Sequence, residues 1–290
     1  MIEIIKAIIF GIVEGITEWL PVSSTGHLIL LDEFLPLGIG AGLHPDFAEE
    51  FGEMFNVVIQ LGAILAVLVT YWRRLIPAKK KQLSPTFRLW VKIAVASVPA
   101  AFAGLVLDKV IEALTDRDID GWLYTPAVVA AALIIYGVLF ILIEHGRRDK
   151  APTVTDIEGI SYKNAFLIGI FQMLAIIPGT SRSGSTILGS MLLGLSRGVA
   201  AEFSFFMAIP AMLGAGALKA YGFLDYVGEA GVSVPATAWI VLAVASAVAF
   251  IVSMIAIKFL TDFVKKHSFA PFGVYRIILG VAVIAYFIFR

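Results

Sequence analysis

The chain is 290 residues long, 59% hydrophobic and 15% charged, with a formal net charge of zero and a mean hydropathy of +0.92. This composition excludes a water-soluble globule and directs the chain into a bilayer as a polytopic helical protein. The charge balance excludes nucleic acid as a partner, which needs surplus Lys and Arg clustered on a soluble face, and the absence of cysteine excludes disulfides and thiolate metal sites.

The first apolar stretch, Ile2 to Leu35, is interrupted by Glu3, Glu14 and Glu18 and carries no small-residue cleavage site, so it reads as part of the fold rather than as a signal peptide. Pro21 to Gly26 split it into halves too short to cross a membrane, since a crossing needs about 20 mainly apolar residues. Three full spans follow, near Met54 to Tyr71, Leu89 to Leu107 and Pro126 to Ile143. A second split stretch, Ala165 to Leu195, is broken by Pro178 to Gly184, and spans near Val199 to Tyr221, Ala238 to Phe259 and Phe272 to Phe289 complete the chain. Two short apolar halves joined by a Gly/Ser/Pro turn are the sequence form of a re-entrant hairpin. The scattered Phe residues read as lipid-facing packing.

Loop charges orient the spans. Arg73, Arg74, Lys79, Lys80, Lys81 and Arg88, then Arg147, Arg148, Lys150 and Lys163, then Lys265 and Lys266 mark cytoplasmic connections. The intervening loops are acidic, with Asp116, Asp118 and Asp120 in one and Asp225 and Glu229 in the other, and read as external. The first hairpin then enters from outside and the second from the cytoplasm, with their turns meeting near the midplane.

An internal repeat matches that expectation. Laying Ala7 on Ala165 puts Gly11 on Gly169, Ser23 on Ser181, Gly26 on Gly184 and Ile29-Leu30 on Ile187-Leu188. A weaker echo places Ala94-Val95-Ala96-Ser97 on Ala243-Val244-Ala245-Ser246. The expected fold is an all-α integral membrane protein with six transmembrane helices and two re-entrant helical hairpins in an inverted-topology repeat. One membrane domain covers 1–290. Its N-terminal half is 1–145, with a hairpin at about 2–35, and its C-terminal half is 160–290, with a hairpin at about 165–195.

Chemistry concentrates at the two turns. Glu14 and Glu18, spaced i and i+4, put two carboxylates on one helix face, where they repel unless a divalent cation binds, one is protonated, or a basic group faces them. Ser23, Ser24, Thr25 and Gly26 open the next helix and suit an anion at its N-terminus, although simple capping uses the same residues. His27 follows as a candidate general acid or base. The second turn supplies the positive charge: Arg182 stands between Ser181 and Ser183, before Gly184 and Thr186, and a guanidinium there can clamp phosphate or pair with Glu14 or Glu18. Gln60 is a further pocket candidate beside Asn56, with interhelical hydrogen bonding as the alternative. Gln172, at the repeat position of Glu14, reads as structural, and Arg197 and Arg276 read as snorkelling to head groups. No P-loop pattern occurs.

The segments Glu14-Gly15-Ile16-Thr17-Glu18-Trp19-Leu20-Pro21-Val22-Ser23-Ser24-Thr25-Gly26-His27 and Pro178-Gly179-Thr180-Ser181-Arg182-Ser183-Gly184 resemble the two signature motifs of the bacterial undecaprenyl-diphosphatase, or bacitracin-resistance, family. The similarity runs nearly end to end, through Val58-Ile59-Gln60-Leu61-Gly62, Glu202-Phe203-Ser204-Phe205 and Tyr275-Arg276, while Pro36 to Glu50 looks longer than in the family. The resemblance implies an inner-membrane hydrolase, with its site on the outer face, that removes the terminal phosphate of a C55 polyprenyl diphosphate with a divalent cation such as Mg or Ca. It implies roles for Glu14, Glu18, Ser24, His27, Ser181, Arg182 and Thr186; from the residues alone, Arg182 and a cation held by Glu14 and Glu18 would neutralise the diphosphate oxygens. Read from the residues, Ser24 with His27 can form a phosphoseryl intermediate, or His27 and a metal-bound water can hydrolyse directly. The rival reading is an inverted-repeat secondary transporter or polyprenyl-phosphate flippase. Membrane lipids and a polyprenyl diphosphate are the expected partners, and a homodimer is left open.

Overall fold

The computed structural model describes residues 1–40, 43–77, 83–107, 109–110, 113, 123 and 125–289. Lys79, Lys80 and Lys81 and the acidic positions Asp116, Asp118 and Asp120 lie outside the described residues. The described chain is helical, with a single isolated bridge between Val154 and Leu195.

A helix pair opens the chain: α1 (Ile2–Thr17) and α2 (Ser24–Phe34), joined by a turn. Then come α3 (Phe47–Thr70), the short α4 (Trp72–Leu75), α5 (Leu83–Phe102), which continues as a π-helical stretch through Leu107, and α6 (Pro126–Arg147). A second pair, α7 (Tyr162–Met173) and α8 (Arg182–Leu192), is followed by α9 (Arg197–Ala230), α10 (Ala236–Phe263) and α11 (Ala270–Phe289). Six helices are long and apolar enough to cross a membrane, at Phe47–Thr70, Leu83–Val106, Pro126–Arg147, Arg197–Ala230, Ala236–Phe263 and Ala270–Phe289. Each runs past the stretch that hydropathy marks at one end or both, and in α9 both ends are capped. Ser196 accepts from the Val199 amide at the start of α9, and Gly231 closes its far end in the left-handed region at φ 63°.

The helix pairs are built alike. Both second helices have 11 residues, both start one residue after a serine with positive φ, and in both that serine's side chain accepts the amide three residues on: Ser23 from Gly26, Ser181 from Gly184. Each pair packs on the other half of the chain, α1 against α10 and α7 against α5. The close approaches need glycine. A Cβ at Gly11 would lie 2.5 Å from the Ala245 carbonyl oxygen, and one at Gly169 would strike the Ala96 carbonyl. Ala96 and Ala245 are the equivalent residues of the Ala-Val-Ala-Ser echo, so the weaker sequence match marks equivalent packing positions. The last spans, α6 and α11, cross where the Gly137 and Gly273 backbones face each other reciprocally. With lipid outside, helix association rests on close van der Waals fit, which small residues at these crossings supply.

Three sequence-level expectations change. Arg276 does not snorkel; it is fully buried. Arg197 turns inward to Glu144, donating from Nε to Oε1 at 2.9 Å and from Nη2 to Oε2 at 2.5 Å, while Glu144 also takes the Phe269 amide at 2.7 Å. A buried carboxylate outbids lipid head groups for a guanidinium because it would otherwise be left as an unpaired charge. Many Phe residues face inward, including Phe10, Phe47, Phe51, Phe55, Phe203, Phe205 and Phe206. Phe10, Phe51 and Phe55 pack ring against ring, and Phe205 meets Trp19 edge-on at 5.4 Å.

Candidate active site

The two turns meet. Glu18 caps the C-terminal end of α1, its amide returning to the Glu14 carbonyl at 3.0 Å, and its side chain is buried. Ser24 is the first residue of α2 and donates from Oγ to Glu18 Oε2 at 2.5 Å. Arg182 is the first residue of α8 and donates from Nη2 to Glu18 Oε1 at 3.0 Å, with Nε at 3.4 Å from the same oxygen. One carboxylate thus receives the leading residues of two equivalent helices, one on each oxygen. Ser183 adds a second strap, donating to the Glu18 carbonyl at 3.1 Å.

Arg182 is held from behind. Its Nη1 donates to the Ser204 carbonyl at 2.8 Å, and the Ser204 hydroxyl lies 2.7 Å from Thr186 Oγ1. Thr186 is fully buried, and so anchors the arginine rather than lining open space. Ser181 caps the Gly184 amide at 3.1 Å and lies 3.2 Å from Ser183 Oγ. Ser23 plays the same capping part for Gly26 at 3.2 Å. The serines hold φ at 76° and 72°, a region costing a non-glycine residue of order 1–3 kcal/mol. Just after these positive-φ residues, Ser24 and Arg182, the leading residues of α2 and α8, both reach Glu18.

His27 is placed differently from the pairing considered with Ser24. Its Nδ1 lies 2.7 Å from the Ser23 carbonyl and its Nε2 lies 2.7 Å from the Tyr275 hydroxyl, the planes of the two rings being parallel within 1°. A carbonyl only accepts, so Nδ1 carries a proton and, in the neutral ring, Nε2 accepts from Tyr275. Ser24 therefore has Glu18, not His27, as its hydrogen-bonded base. Thr25 is half-buried beside it, and Gln60, half-buried on α3, makes no hydrogen bond among the described residues.

Two residues to which the sequence reading gave no part in the site, Arg276 and Tyr275, complete the frame. Arg276 donates to the carbonyls of Pro21 at 3.2 Å, Gly179 at 2.7 Å and Thr180 at 2.9 Å, tying both turns to α11, with its guanidinium 5.6 Å from the Tyr136 ring centre. Its neighbour Tyr275 holds His27. A Tyr-Arg pair inside a broken-helix protein, at a place where no loop calls for a cation, was the available signal.

Glu14 is fully buried, and neither of its carboxylate oxygens has a hydrogen-bond partner among the described residues. Such a group must be protonated or meet a cation. No cluster of three or more His, Asp and Glu side chains gathers among the described residues. The donor set fits a hard divalent cation of the kind that takes one or two carboxylates and fills its shell from substrate phosphates and water. Gln172, at the equivalent place on α7, is also buried with both amide atoms unpartnered.

Comparison with known proteins identifies the family. Residues 7–282 match the family described as bacitracin resistance protein BacA. Undecaprenyl-diphosphatase 1 of Clostridioides difficile (strain 630) is 50% identical over 291 residues, covering 99% of this chain and 97% of that protein. The undecaprenyl-diphosphatase of Enterococcus faecalis is 49% identical, covering 98% of this chain and 96% of that protein, and that of Acetivibrio thermocellus is 48% identical, covering 99% of each. With a match that spans both turns and all six long helices, the chain belongs to the bacitracin resistance protein BacA family.

Proposed function

We propose that this multi-pass bacterial membrane protein hydrolyses undecaprenyl diphosphate to undecaprenyl phosphate and inorganic phosphate, recycling a lipid carrier for cell-wall synthesis, with bacitracin resistance as a consequence. The observation that carries the reading is the convergence of Ser24 and Arg182 on Glu18 from two separate helix starts.

Each residue has a task there. Arg182 and the leading amides of α2 and α8 bind the oxygens of the terminal phosphate and stabilise the charge that builds on them. Glu18 takes the Ser24 proton as Oγ attacks the terminal phosphorus. A bond from Oγ to phosphorus forms, the bond from phosphorus to the bridging oxygen breaks, and the polyprenyl phosphate leaves. Glu18 passes that proton to the departing polyprenyl phosphate; water then attacks the phosphoserine and gives a proton to the freed carboxylate, which returns it to Oγ as the bond from Oγ to phosphorus breaks and phosphate leaves. Glu14 and Glu18 would hold a divalent cation, Mg or Ca, which supplies neutralisation of the diphosphate charge. His27, with both nitrogens occupied, fixes the start of α2 through Ser23. Ser181, Ser183, Gly184 and Gly26 shape the anion cradle, and Thr186 keeps Arg182 in place.

The site faces the periplasmic side of the inner membrane in this reading, which rests on the Lys and Arg bias of the connecting segments. Each helix pair then returns to the face it entered, and the halves insert with opposite orientation, at about 1–145 and 160–290. A homodimer is a further expectation, checked by sedimentation in detergent. The test of function is phosphate release from polyprenyl diphosphate by the purified full-length chain. Release that is lost in Ser24→Ala, with a labelled phosphoprotein trapped only in wild type, supports the serine route. Hydrolysis retained in Ser24→Ala assigns the attack to water, and binding of the lipid without release by wild type would favour a transporter or flippase.

A further inference from the structure

Away from the two turns, a cavity of about 560 Å³ opens where α4, the first turns of α5 and the segment leading into α7 meet. That size is in the range of small-ligand sites. Its charged lining is mostly cationic: Arg73 and Arg74 from α4, Arg88 and Lys92 from α5, against Asp156 and Glu158. Lys92 is 7% exposed and donates to the Glu158 carbonyl at 2.7 Å and the Ile157 carbonyl at 3.4 Å, which fixes its ammonium at the wall. Arg88 stands one turn before it on the same face, a like-charged spacing that disfavours the helix unless an anion intervenes. Arg74 is engaged by Glu202 on α9. Arg73 and Arg88 make no hydrogen bond or ion pair among the described residues, and neither Asp156 nor Glu158 forms an ion pair with any of the four cations; Asp156 instead accepts the Glu158 amide at 2.8 Å. The start of α7 reaches the same cavity through Ser161 and Tyr162, adding the positive end of a helix to the wall.

We propose that this cavity binds a phosphate-bearing anion through Arg73, Arg88 and Lys92, independently of the hydrolytic site. The chemistry is shared by the head group of an anionic phospholipid and by free inorganic phosphate. A basic pocket between spans on the Lys- and Arg-rich side of the membrane is suited to the former. Because α7 and α8 form one helix pair, an anion held at the start of α7 braces the element that carries Arg182 at its other end.

The test compares the wild-type full chain with the Arg73→Gln/Arg88→Gln double variant in neutral detergent, reading the thermal midpoint with and without added ligand. Both side chains are exposed and, among the described residues, unpaired, and the readout is the ligand-dependent increment, so a baseline difference cancels. Dioleoyl phosphatidylglycerol is expected to raise the wild-type midpoint by several degrees, dioleoyl phosphatidylcholine to leave it unchanged, and the double variant to lose most of the gain. The same gain from millimolar inorganic phosphate alone assigns the site to the free ion. An equal gain in wild type and double variant, or no gain in wild type from either anion, overturns the proposal.

Discussion

The two helix pairs share a backbone and differ in chemistry. Ser23 and Ser181 adopt the same positive φ, cap the same amide and lead helices of the same length. The residue that follows is Ser24 in one and Arg182 in the other. Upstream, the repeat position of Glu14 is held by Gln172, and that of Glu18 by Ile176. In the proposed reaction the first pair therefore supplies nucleophile and carboxylates, and the second supplies the fixed cation. Two turns of one shape give two helix starts of the kind that suits an anion, and different side chains on that shared scaffold make them complementary. Neither turn has a complete set of groups for diphosphate hydrolysis.

The comparison breaks most directly at Glu18, where both turns meet. Glu18→Gln keeps the shape but removes the base and the partner of Arg182, and phosphate release should fall by about a thousandfold, the scale of losing a central charge-stabilising group. Arg182→Ala should fall as far, and Arg182→Lys should recover little, because a point charge replaces a two-pronged donor.

Next in size is the tie between the turns. Arg276→Ala strips three carbonyls of their donor in a buried place, each costing roughly 1–3 kcal/mol, so the thermal midpoint in detergent should drop well below that of wild type. An unchanged midpoint would show that the turns do not depend on α11.

Exchanging the equivalent polar residues sharpens the contrast. Glu14→Gln should lower phosphate release and weaken its response to a chelator, since the amide is a poorer ligand for a hard cation. Gln172→Glu places an unpaired charge in the second pair, where no catalytic cation is expected, and should reduce stability while leaving the chelator response as in wild type. Equal effects of both exchanges on the chelator titration would abolish the distinction between the pairs.

The smallest effects lie at the edges of the site. Tyr275→Phe removes one hydrogen bond to His27, worth about 1 kcal/mol, and hydrolysis should fall by less than tenfold. Ser23→Gly and Ser181→Gly lose a cap, at a few tenths of a kcal/mol, while relieving the positive φ. Their melting points should stay near wild type, and a large fall in either would mean that the serine hydroxyl does more than cap.

Much of this was legible in the chain. The six long helices and the two broken ones follow from apolar run length and from Pro, Gly and Ser at the breaks, because in a bilayer an unpaired backbone is costly and marks its own position. Glu18, Ser24 and Arg182 stood out for the same reason, as polar groups where none is cheap. The Ala-Val-Ala-Ser echo was readable only as a weak match until Gly11 and Gly169 were seen against Ala245 and Ala96. Arg276 and Arg197 were misread, since hydropathy gives a residue's depth and not its facing direction.

The sequence by itself determined that the protein lives in a membrane, that it carries two broken helices with matching turns, and that acids sit on one and a guanidinium on the other. Tertiary structure alone decided which groups touch: that Ser24 turns to Glu18 while His27 turns to Tyr275, that Arg276 ties the turns, and that Ser204 backs Arg182. The physical reason is that backbone cost and hydropathy are local quantities, summed along the chain. Partner choice for a buried charge is settled by whichever distant helix brings an acceptor within about 3 Å of it.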